Sequence, residues 1–279
     1  NGGLGGGTSG SGTVDAVVGI ATAATNRQPG NAPTVIMLNA GVLHRVGPHR
    51  LHVRLARRLA DHGLASVRLD LSGIGDSPAA TDDRSFRDIA VRDIGAVIDA
   101  VGNPHGVVLF GICAGADNAL AAAALYPAIR AVVLVDPHTY PTPQSQARAL
   151  MADVRNDGPL ATASRLLERA QRKAQRLVRD RATPTPIPVK GGRQAPPPDE
   201  MRAAYQQLID RGVGVLSVFT GVRGVRFNHA DQLFELWPEF KGRIDVRYFP
   251  DANHVFSTLA AQADLINTVV LWLRSGVRA

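Results

Sequence analysis

Short apolar segments alternate with amphipathic segments along most of the chain. The segments that predict strands are rich in Val, Leu and Ile, and they lie at residues 34–39, 65–71, 106–110, 131–135, 213–220 and 244–249. Apolar positions recur at helical spacing at residues 51–62, 86–101, 116–125, 230–240 and 259–273. An additional strand or hairpin is expected within residues 14–24. This alternation indicates a mostly parallel, doubly wound α/β sheet, which binds ligands beyond the carboxyl ends of its strands.

Residues 139–211 interrupt the alternation and contain no clear strand. Residues 161–181 predict an amphipathic helix with one face marked by Arg165, Arg169, Arg172, Arg176 and Arg179. A Pro- and Gly-rich stretch at 183–198 predicts an exposed flexible loop, and a short helix is expected at 199–211. We interpret residues 139–211 as a helical lid, although a solvated surface helix explains the arginines equally well. The core then comprises residues 13–138 and 212–279, and the Gly/Ser-rich residues 1–12 form a flexible arm.

The sequence Gly-Ile-Cys-Ala-Gly at residues 111–115 lies between a predicted strand and a predicted helix. This is the setting of a nucleophile elbow, with cysteine in the place where serine is usual. Gly111 and Gly115 leave room for so sharp a turn, and the amino end of the following helix favours a thiolate on Cys113. The alternative interpretation is that this single cysteine is a small buried apolar residue.

A cysteine nucleophile needs a base, and His254 follows the last predicted strand. The position of the acid is less certain, because the loop after Gly221 has no carboxylate near its start. Asp136, which ends the strand before that loop, is the preferred candidate, and Asp231 is the alternative.

Backbone N–H groups near the carboxyl ends of two strands are expected to form an oxyanion hole. We assign these donors to Ala114, which follows the candidate nucleophile, and to Val42 or Gly41 after the first central strand. Polar side chains in the same loops are candidates for binding substrate, namely His44, Arg45 and His138.

Composition limits the range of possible functions. The chain has 279 residues, of which 45% are hydrophobic and 20% charged, as expected of a globular α/β protein. One cysteine excludes an internal disulfide and a cysteine-built zinc site. No metal or nucleotide motif is present, so no cofactor or metal is expected. The net charge of +7 suits an acidic partner, and no nucleic-acid motif accompanies it. No apolar run spans a bilayer and no signal peptide is visible, so a cytoplasmic location and no membrane partner are expected.

The elbow, the late histidine and the order of the candidate residues resemble the α/β-hydrolase superfamily across residues 14–274. The closer likeness is to hydrolases associated with the exosortase A system. Residues 44–50, His-Arg-Val-Gly-Pro-His-Arg, are similar to the Tyr-Arg-Val-Gly-Ser-His-Arg segment of those hydrolases, and the elbow is similar to their Gly-Leu-Cys-Asp-Gly. Residues 68–70 and 72–77 also look like theirs. The resemblance implies an α/β-hydrolase fold with a lid and a cysteine nucleophile.

From this chemistry we expect an enzyme that cleaves an acyl thioester or ester through an acyl-Cys intermediate. A thioester at cysteine is readily intercepted by an amine, alcohol or thiol, so thioesterase and acyltransferase activities are both open. The arginine face suggests that an acidic carrier protein brings the acyl group. The alternatives are an esterase or lactonase for small esters, and a non-catalytic binding module with the same fold.

Overall fold

A computed structural model of the chain describes residues 17–25, 32–180, 195–221 and 226–275. Its strands form one seven-stranded sheet in the order β1-β3-β2-β4-β5-β6-β7. Strand β1 pairs antiparallel with β3, and all other pairs are parallel. The strands are β1 (Val18–Thr22), β2 (Thr34–Met37), β3 (Ser66–Asp70), β4 (Val107–Ile112), β5 (Ile129–Val135), β6 (Gly214–Thr220) and β7 (Asp245–Phe249). The predicted mostly parallel, doubly wound α/β sheet is therefore confirmed.

Helices cover both faces of the sheet. They are α1 (Leu51–Asp61), α2 (Phe86–Val101), α3 (Ala114–Leu125), α4 (Pro143–Asp157), α5 (Pro159–Asp180), α6 (Pro198–Asp210), α7 (Gln232–Leu236) and α8 (Leu259–Arg274). Alternate residues of β4 point to opposite faces, because side chains alternate along a strand. Val107 and Leu109 pack with α2, α3 and α6, whereas Val108 and Phe110 pack with α1 and α8. Among the described residues, no helix is long and apolar enough to cross a membrane.

The segment between β5 and β6 contains α4, α5 and α6 rather than one uniform lid. Helix α6 buries Met201, Tyr205 and Leu208 in the same core as α2 and α3. The Tyr205 hydroxyl lies 3.3 Å from the Ser217 hydroxyl on β6, so α6 covers the sheet as an ordinary layer helix. Of the helices that the structure describes within the predicted lid at 139–211, α4 and α5 lie outside that layer. Sequence periodicity missed α4 because only Ser145 of this helix is buried.

Two other predictions need comment. The helix expected at 230–240 is divided into α7 and a short 3₁₀ turn at Pro238–Phe240, because a proline cannot continue the hydrogen-bonding of α7. The predicted arm at residues 1–12 and most of the predicted loop at 183–198 lie outside the described residues.

Helix α3 approaches the sheet unusually closely, and two glycines permit this. A Cβ atom on Gly111 of β4 would lie 2.2 Å from the carbonyl oxygen of Gly115 in the first turn of α3. A Cβ atom on Gly115 would lie 2.5 Å from the carbonyl oxygen of Asn39, just after β2. Both contacts are with backbone, which cannot move aside as a flexible side chain does.

We therefore expect Gly111→Ala to lower the free energy of unfolding by about 3 kcal/mol or more, because the added methyl group overpacks the junction of strand and helix. Urea unfolding followed by circular dichroism measures the change. The control is Gly19→Ala in β1, where the nearest atom to the added Cβ would be 3.3 Å away and the change should be small. Equal effects of the two substitutions would contradict the proposed collision.

Candidate active site

Cys113 lies at the sharp turn between β4 and α3, as the elbow pattern predicted. Its φ of 57° and ψ of −120° are strained values for a residue with a side chain. The turn is held from both sides, since Cys113 N–H donates to the Val135 carbonyl at 2.9 Å and the Cys113 carbonyl accepts from Ala116 N–H at 3.0 Å. The side chain is partly exposed. The thiol is thus fixed at the amino end of α3 and remains accessible to a small molecule.

Asp136 and His254 meet at the carboxyl end of the sheet. His254 Nδ1 lies 2.6 Å from Asp136 Oδ2. The carboxylate of Asp136 is fully buried and also accepts hydrogen bonds from Thr220 N at 2.9 Å and from Thr220 Oγ1 at 2.8 Å. Its backbone has a positive φ of 47°, like that of Cys113. Asp231, the alternative acid, instead lies 4.0 Å from Lys241 Nζ and is more than half exposed.

The loop after β7 brings His254 over Asp136 because the residue beneath it has no side chain. A Cβ atom on Gly221, just after β6, would lie 1.8 Å from the carbonyl oxygen of Pro250. The loop is then braced internally, since Asn253 Nδ2 donates to Ser257 Oγ at 2.6 Å and Ser257 N–H donates back to Asn253 Oδ1 at 3.0 Å. Buried Phe256 anchors its base.

The environment of His254 favours its protonated form. The hydrogen bond to Asp136 is the largest cause, a hydrogen bond with Cys113 is the next, and together they outweigh burial and raise the pKa of His254 to about 9. At neutral pH the imidazole is therefore mostly an imidazolium that contacts both a carboxylate and the cysteine. A protonated histidine in this position stabilises the thiolate form of its cysteine partner, which is the reactive form.

The predicted oxyanion donors lie in two segments, the turn after β2 and the first turn of α3. Residues 40–43 form a turn in which Leu43 N–H donates to the Ala40 carbonyl at 3.2 Å. This turn follows Asn39, whose carbonyl packs against Gly115 in the first turn of α3. The N–H groups of residues 41 and 42 belong to this turn but do not form the hydrogen bond that closes it. Ala114 is the first residue of α3, where backbone N–H groups have no acceptor within the helix. Assignment of these three N–H groups to an oxyanion hole stays a prediction.

A family model described as the alpha/beta hydrolase fold matches residues 33–204, which is more than half of the chain. The chain belongs to the α/β-hydrolase family. No curated protein matches its sequence.

Solved structures agree with this family assignment at the level of the fold. A thermophilic esterase from Thermogutta terrifontis shares 17% identity at a TM-score of 0.55, with 94% of each chain covered. The proline iminopeptidase of Mycobacterium smegmatis shares 16% identity at a TM-score of 0.54, with 93% of this chain and 94% of that chain covered. An enol-lactonase from Burkholderia xenovorans LB400 shares 18% identity at a TM-score of 0.50, with 92% and 96% covered.

In this hydrolase a buried carboxylate holds the candidate oxyanion turn in place. Asp70 ends β3 and accepts hydrogen bonds from Asn39 Nδ2 at 2.9 Å, from Arg45 N at 2.6 Å and from Asp76 N at 3.2 Å, and its carboxylate is paired with the Arg45 guanidinium. Asn39 Nδ2 also donates to the Leu43 carbonyl at 2.8 Å. Burial opposes ionisation of Asp70, but these hydrogen bonds hold the pKa of its carboxyl below the usual range. Sequence reasoning noted residues 68–70 only as a family likeness and missed this role.

The predicted substrate-binding side chains have different surroundings. The Arg45 guanidinium bridges Asp70 and Asp76, at 2.6 Å from the latter, and its side chain is only 11% exposed. Arg45 therefore fixes its own loop, and its assignment to substrate binding stays a prediction. His44 is partly exposed, 3.4 Å from Asp76. His138 is mostly buried, and its ring packs edge-on against the ring of Tyr140. The backbone N–H of His138 donates to the carboxylate of Asp117.

His44, Asp70 and Asp76 together offer the ligand types of a metal site. One ligand atom from each of His44, Asp70 and Asp76 lies within 4.8 Å of the others. The guanidinium of Arg45 already pairs with both carboxylates, so it supplies the positive charge that a cation would bring. This cluster fits an ion-pair network better than a metal centre.

We expect Asp136→Asn to lower the pKa of His254 from about 9 towards its ordinary value, because the largest cause of the increase is lost. Proton NMR of the imidazole across a pH series measures this. The control is Asp231→Asn, which alters the exposed alternative acid and should leave the pKa of His254 near 9. A pKa for His254 that stays near 9 in the Asp136→Asn variant would show that Asp136 is not the cause.

Replacing Asp70 by asparagine should lower the free energy of unfolding by about 1.5–3 kcal/mol, because the buried hydrogen bonds to this group lose their charged acceptor while Asp76 still pairs with the Arg45 guanidinium. Urea unfolding with a two-state fit gives the value. A matched control is Glu168→Gln, which breaks an exposed pair with Arg172 at 2.8 Å and should change stability little. If Asp70→Asn and Glu168→Gln lower the free energy of unfolding by the same amount, the Asp70 network does not hold the loop.

Proposed function

We propose that this hydrolase cleaves acyl thioesters or esters through a covalent acyl-Cys113 intermediate, and passes the acyl group to water or to another acceptor. The observation that carries the proposal is the chain of contacts from the Cys113 thiol to His254 and on to buried Asp136. The order of these residues along the sequence (nucleophile, acid, histidine) is the order typical of the family. The resemblance to exosortase A system-associated hydrolases stays a prediction that supports the same cysteine chemistry.

In the acylation step, the thiolate of Cys113 attacks the carbonyl carbon and the carbonyl electron pair moves to oxygen. The N–H groups of Ala114 and of Gly41 or Val42 receive this oxyanion. When the oxyanion collapses, the bond to the leaving thiol or alcohol breaks, and the imidazolium of His254 donates its proton to the leaving group. A pKa near 9 keeps that proton on His254 at neutral pH until the leaving group requires it.

In the second step the roles reverse. Neutral His254 accepts a proton from water, an alcohol, an amine or a thiol as that molecule attacks the thioester carbonyl, and the Cys113 thiolate leaves. Asp136 stabilises the imidazolium that forms again, while Thr220 keeps the carboxylate in the correct orientation. Loss of one oxyanion donor typically costs a hundredfold to a thousandfold in rate.

An apolar rim suits the acyl part of such a substrate. The side chain of Val42 is 86% exposed and that of Leu43 is 43% exposed, both on the candidate oxyanion turn. Val255, directly after His254, is 37% exposed. Exposed apolar side chains beside a reactive centre lower the cost of seating a hydrocarbon chain there. We therefore infer an apolar acyl group rather than a charged one.

The second candidate is an esterase or lactonase for small esters. The similarity in fold to an esterase and to an enol-lactonase favours it, and it uses the same three residues. A non-catalytic binding module is less well supported, because a binding module does not require a strained cysteine, a paired histidine and a buried acid at one point.

The decisive experiment is intact-protein mass spectrometry after acid quenching of reactions with a panel of acyl-pantetheine thioesters and aryl esters. The expected result is a mass gain of one acyl group in the native protein and no mass gain in Cys113→Ala. The acyl group that accumulates identifies the substrate class, and addition of amines or alcohols identifies the acceptor.

Two results would contradict the proposal. One is turnover of an ester by Cys113→Ala at the native rate, because the nucleophile would then lie elsewhere. The other is the absence of both adduct and turnover with every thioester and ester, which would favour the binding-module interpretation.

A further inference from the structure

Among the side chains of helix α5 that the structure describes, only Thr162 is buried. The helix is 22 residues long, about 33 Å at the usual helical rise, and it packs beside α4. From residue 163 to residue 175, every side chain that the structure describes is exposed, whether it is polar or apolar. Leu166 is 45% exposed and Leu167 is 61% exposed. An amphipathic helix normally buries its apolar face, so this one requires a partner.

The helix before it adds to the same surface. On α4, Met151 is 67% exposed, and Leu150 and Val154 are 42% and 39% exposed. Leu160, at the start of α5, is 87% exposed. We call these four residues, together with Leu166 and Leu167, the lid apolar patch. Six large apolar side chains exposed on two helices that pack side by side favour an interaction surface, whereas single exposed ones need no explanation.

The positive charge of the protein is concentrated in the same part of the sequence. Residues 159–194 contain nine Lys and Arg against two acidic residues. The rest of the chain has 22 Lys and Arg and 22 Asp and Glu, so it is formally neutral. The whole net charge of +7 therefore belongs to this one segment. Charge confined in this way points to a localised anionic partner rather than to a general solubility effect.

These two properties together select the partner. A second copy of the chain would place like charges against each other, and nucleic acid offers no acyl environment for the leucines. A folded acidic protein covers one face of a helix. On α5 the described arginines, Arg165 and Arg172, and the described leucines are all exposed, although each arginine is paired with one acidic side chain, Asp157 or Glu168. A helix that lies at the surface of an anionic bilayer can contact it with both kinds of side chain. Its leucines insert among the acyl chains, and its arginines contact the anionic headgroups.

We propose that the lid apolar patch and the basic face of α5 bind the surface of an anionic lipid bilayer. This inference goes beyond the acyl chemistry and does not depend on it. It replaces the expectation, drawn from the lack of a spanning segment, that the protein has no membrane partner, because surface binding needs no spanning segment. An acidic carrier protein becomes the competing occupant.

The base of the lid is held firmly to the core, so a bound bilayer would lie at a fixed place relative to the fold. Arg148 on α4 donates to Glu235 Oε1 at 2.7 Å and to Asn228 Oδ1 at 2.9 Å. The Thr142 hydroxyl, at the start of α4, donates to Glu235 Oε2 at 2.5 Å. The exposed apolar residues begin only beyond this anchored turn. Binding would therefore hold the carboxyl edge of the sheet, where Cys113 lies, near the lipid surface.

Co-sedimentation of the full chain with vesicles tests the proposal. We expect binding to phosphatidylcholine vesicles that contain phosphatidylglycerol, weaker binding at high salt, and little binding to phosphatidylcholine alone. The double variant Arg165→Gln/Arg172→Gln should weaken partitioning about thirtyfold, since each Lys or Arg near such a surface contributes about fivefold. The control, Arg57→Gln/Arg58→Gln on α1, removes the same charge from exposed positions and should bind like the native protein.

A second pair of variants tests the apolar contribution. Leu160→Gln/Leu167→Gln should weaken partitioning more than tenfold, because both side chains would insert into the acyl region. Leu125→Gln/Leu271→Gln alters side chains that are 66% and 64% exposed elsewhere, and should have no effect. All four substitutions are at exposed positions, so the variants should fold normally.

Two results would overturn the proposal. One is the absence of binding to anionic vesicles. If the native protein then binds a purified acidic carrier protein and the Arg165→Gln/Arg172→Gln variant does not, the carrier protein is the occupant of this surface. The other is an equal loss in test and control pairs. Cys113→Ala should bind vesicles like the native protein, so the outcome is independent of the acyl-Cys experiment.

Discussion

The close approach of α3 to the strand ends is the constraint on which the site depends. Gly111 and Gly115 place the first turn of α3 directly against β4 and against the carbonyl of Asn39. That contact forces the strained turn at Cys113, and it also places the turn at residues 40–43 beside the amino end of the helix. This one contact between helix and sheet therefore sets the positions of both the candidate nucleophile and the candidate oxyanion donors. Strain at the elbow is tolerated because the core on both faces of β4 fixes it.

Two buried aspartates complete the site in different ways. Asp136 has donors from Thr220 on one side and His254 on the other, so its charge is directed towards the imidazole and from there to the thiol. Asp70 directs its charge into the loop that carries the oxyanion turn, through Asn39 and Arg45. Each is saturated with partners, as a buried carboxylate must be. The arrangement separates chemistry from positioning, since neither aspartate shares a donor with the other.

The fold was largely predictable, because parallel strands with both faces buried are apolar runs and their helices keep a helical period. Residues 86–101 match α2, and Cys113, His254 and Asp136 meet where the order of the strands predicted. The prediction failed where tertiary contacts decide. Nothing local in the sequence shows that Arg45 pairs with Asp70, that Thr220 holds Asp136, or that α6 is a core helix while α5 is not. Helix α4 has too few buried residues to produce a periodic signal.

The distribution of charge gives the last step of the argument. If the substrate is the uncharged ester or thioester proposed above, seven excess positive charges do not help to bind it. Long-range attraction of an anionic substrate would instead require positive charge around the reactive thiol. The excess charges lie in one segment with exposed leucines, joined to the core by Arg148 and Glu235. The proposed reaction chemistry and the proposed membrane binding are thus assigned to separate parts of the chain. A change in one is expected to leave the other intact, which makes the role of the lid accessible to experiment independently of the reaction.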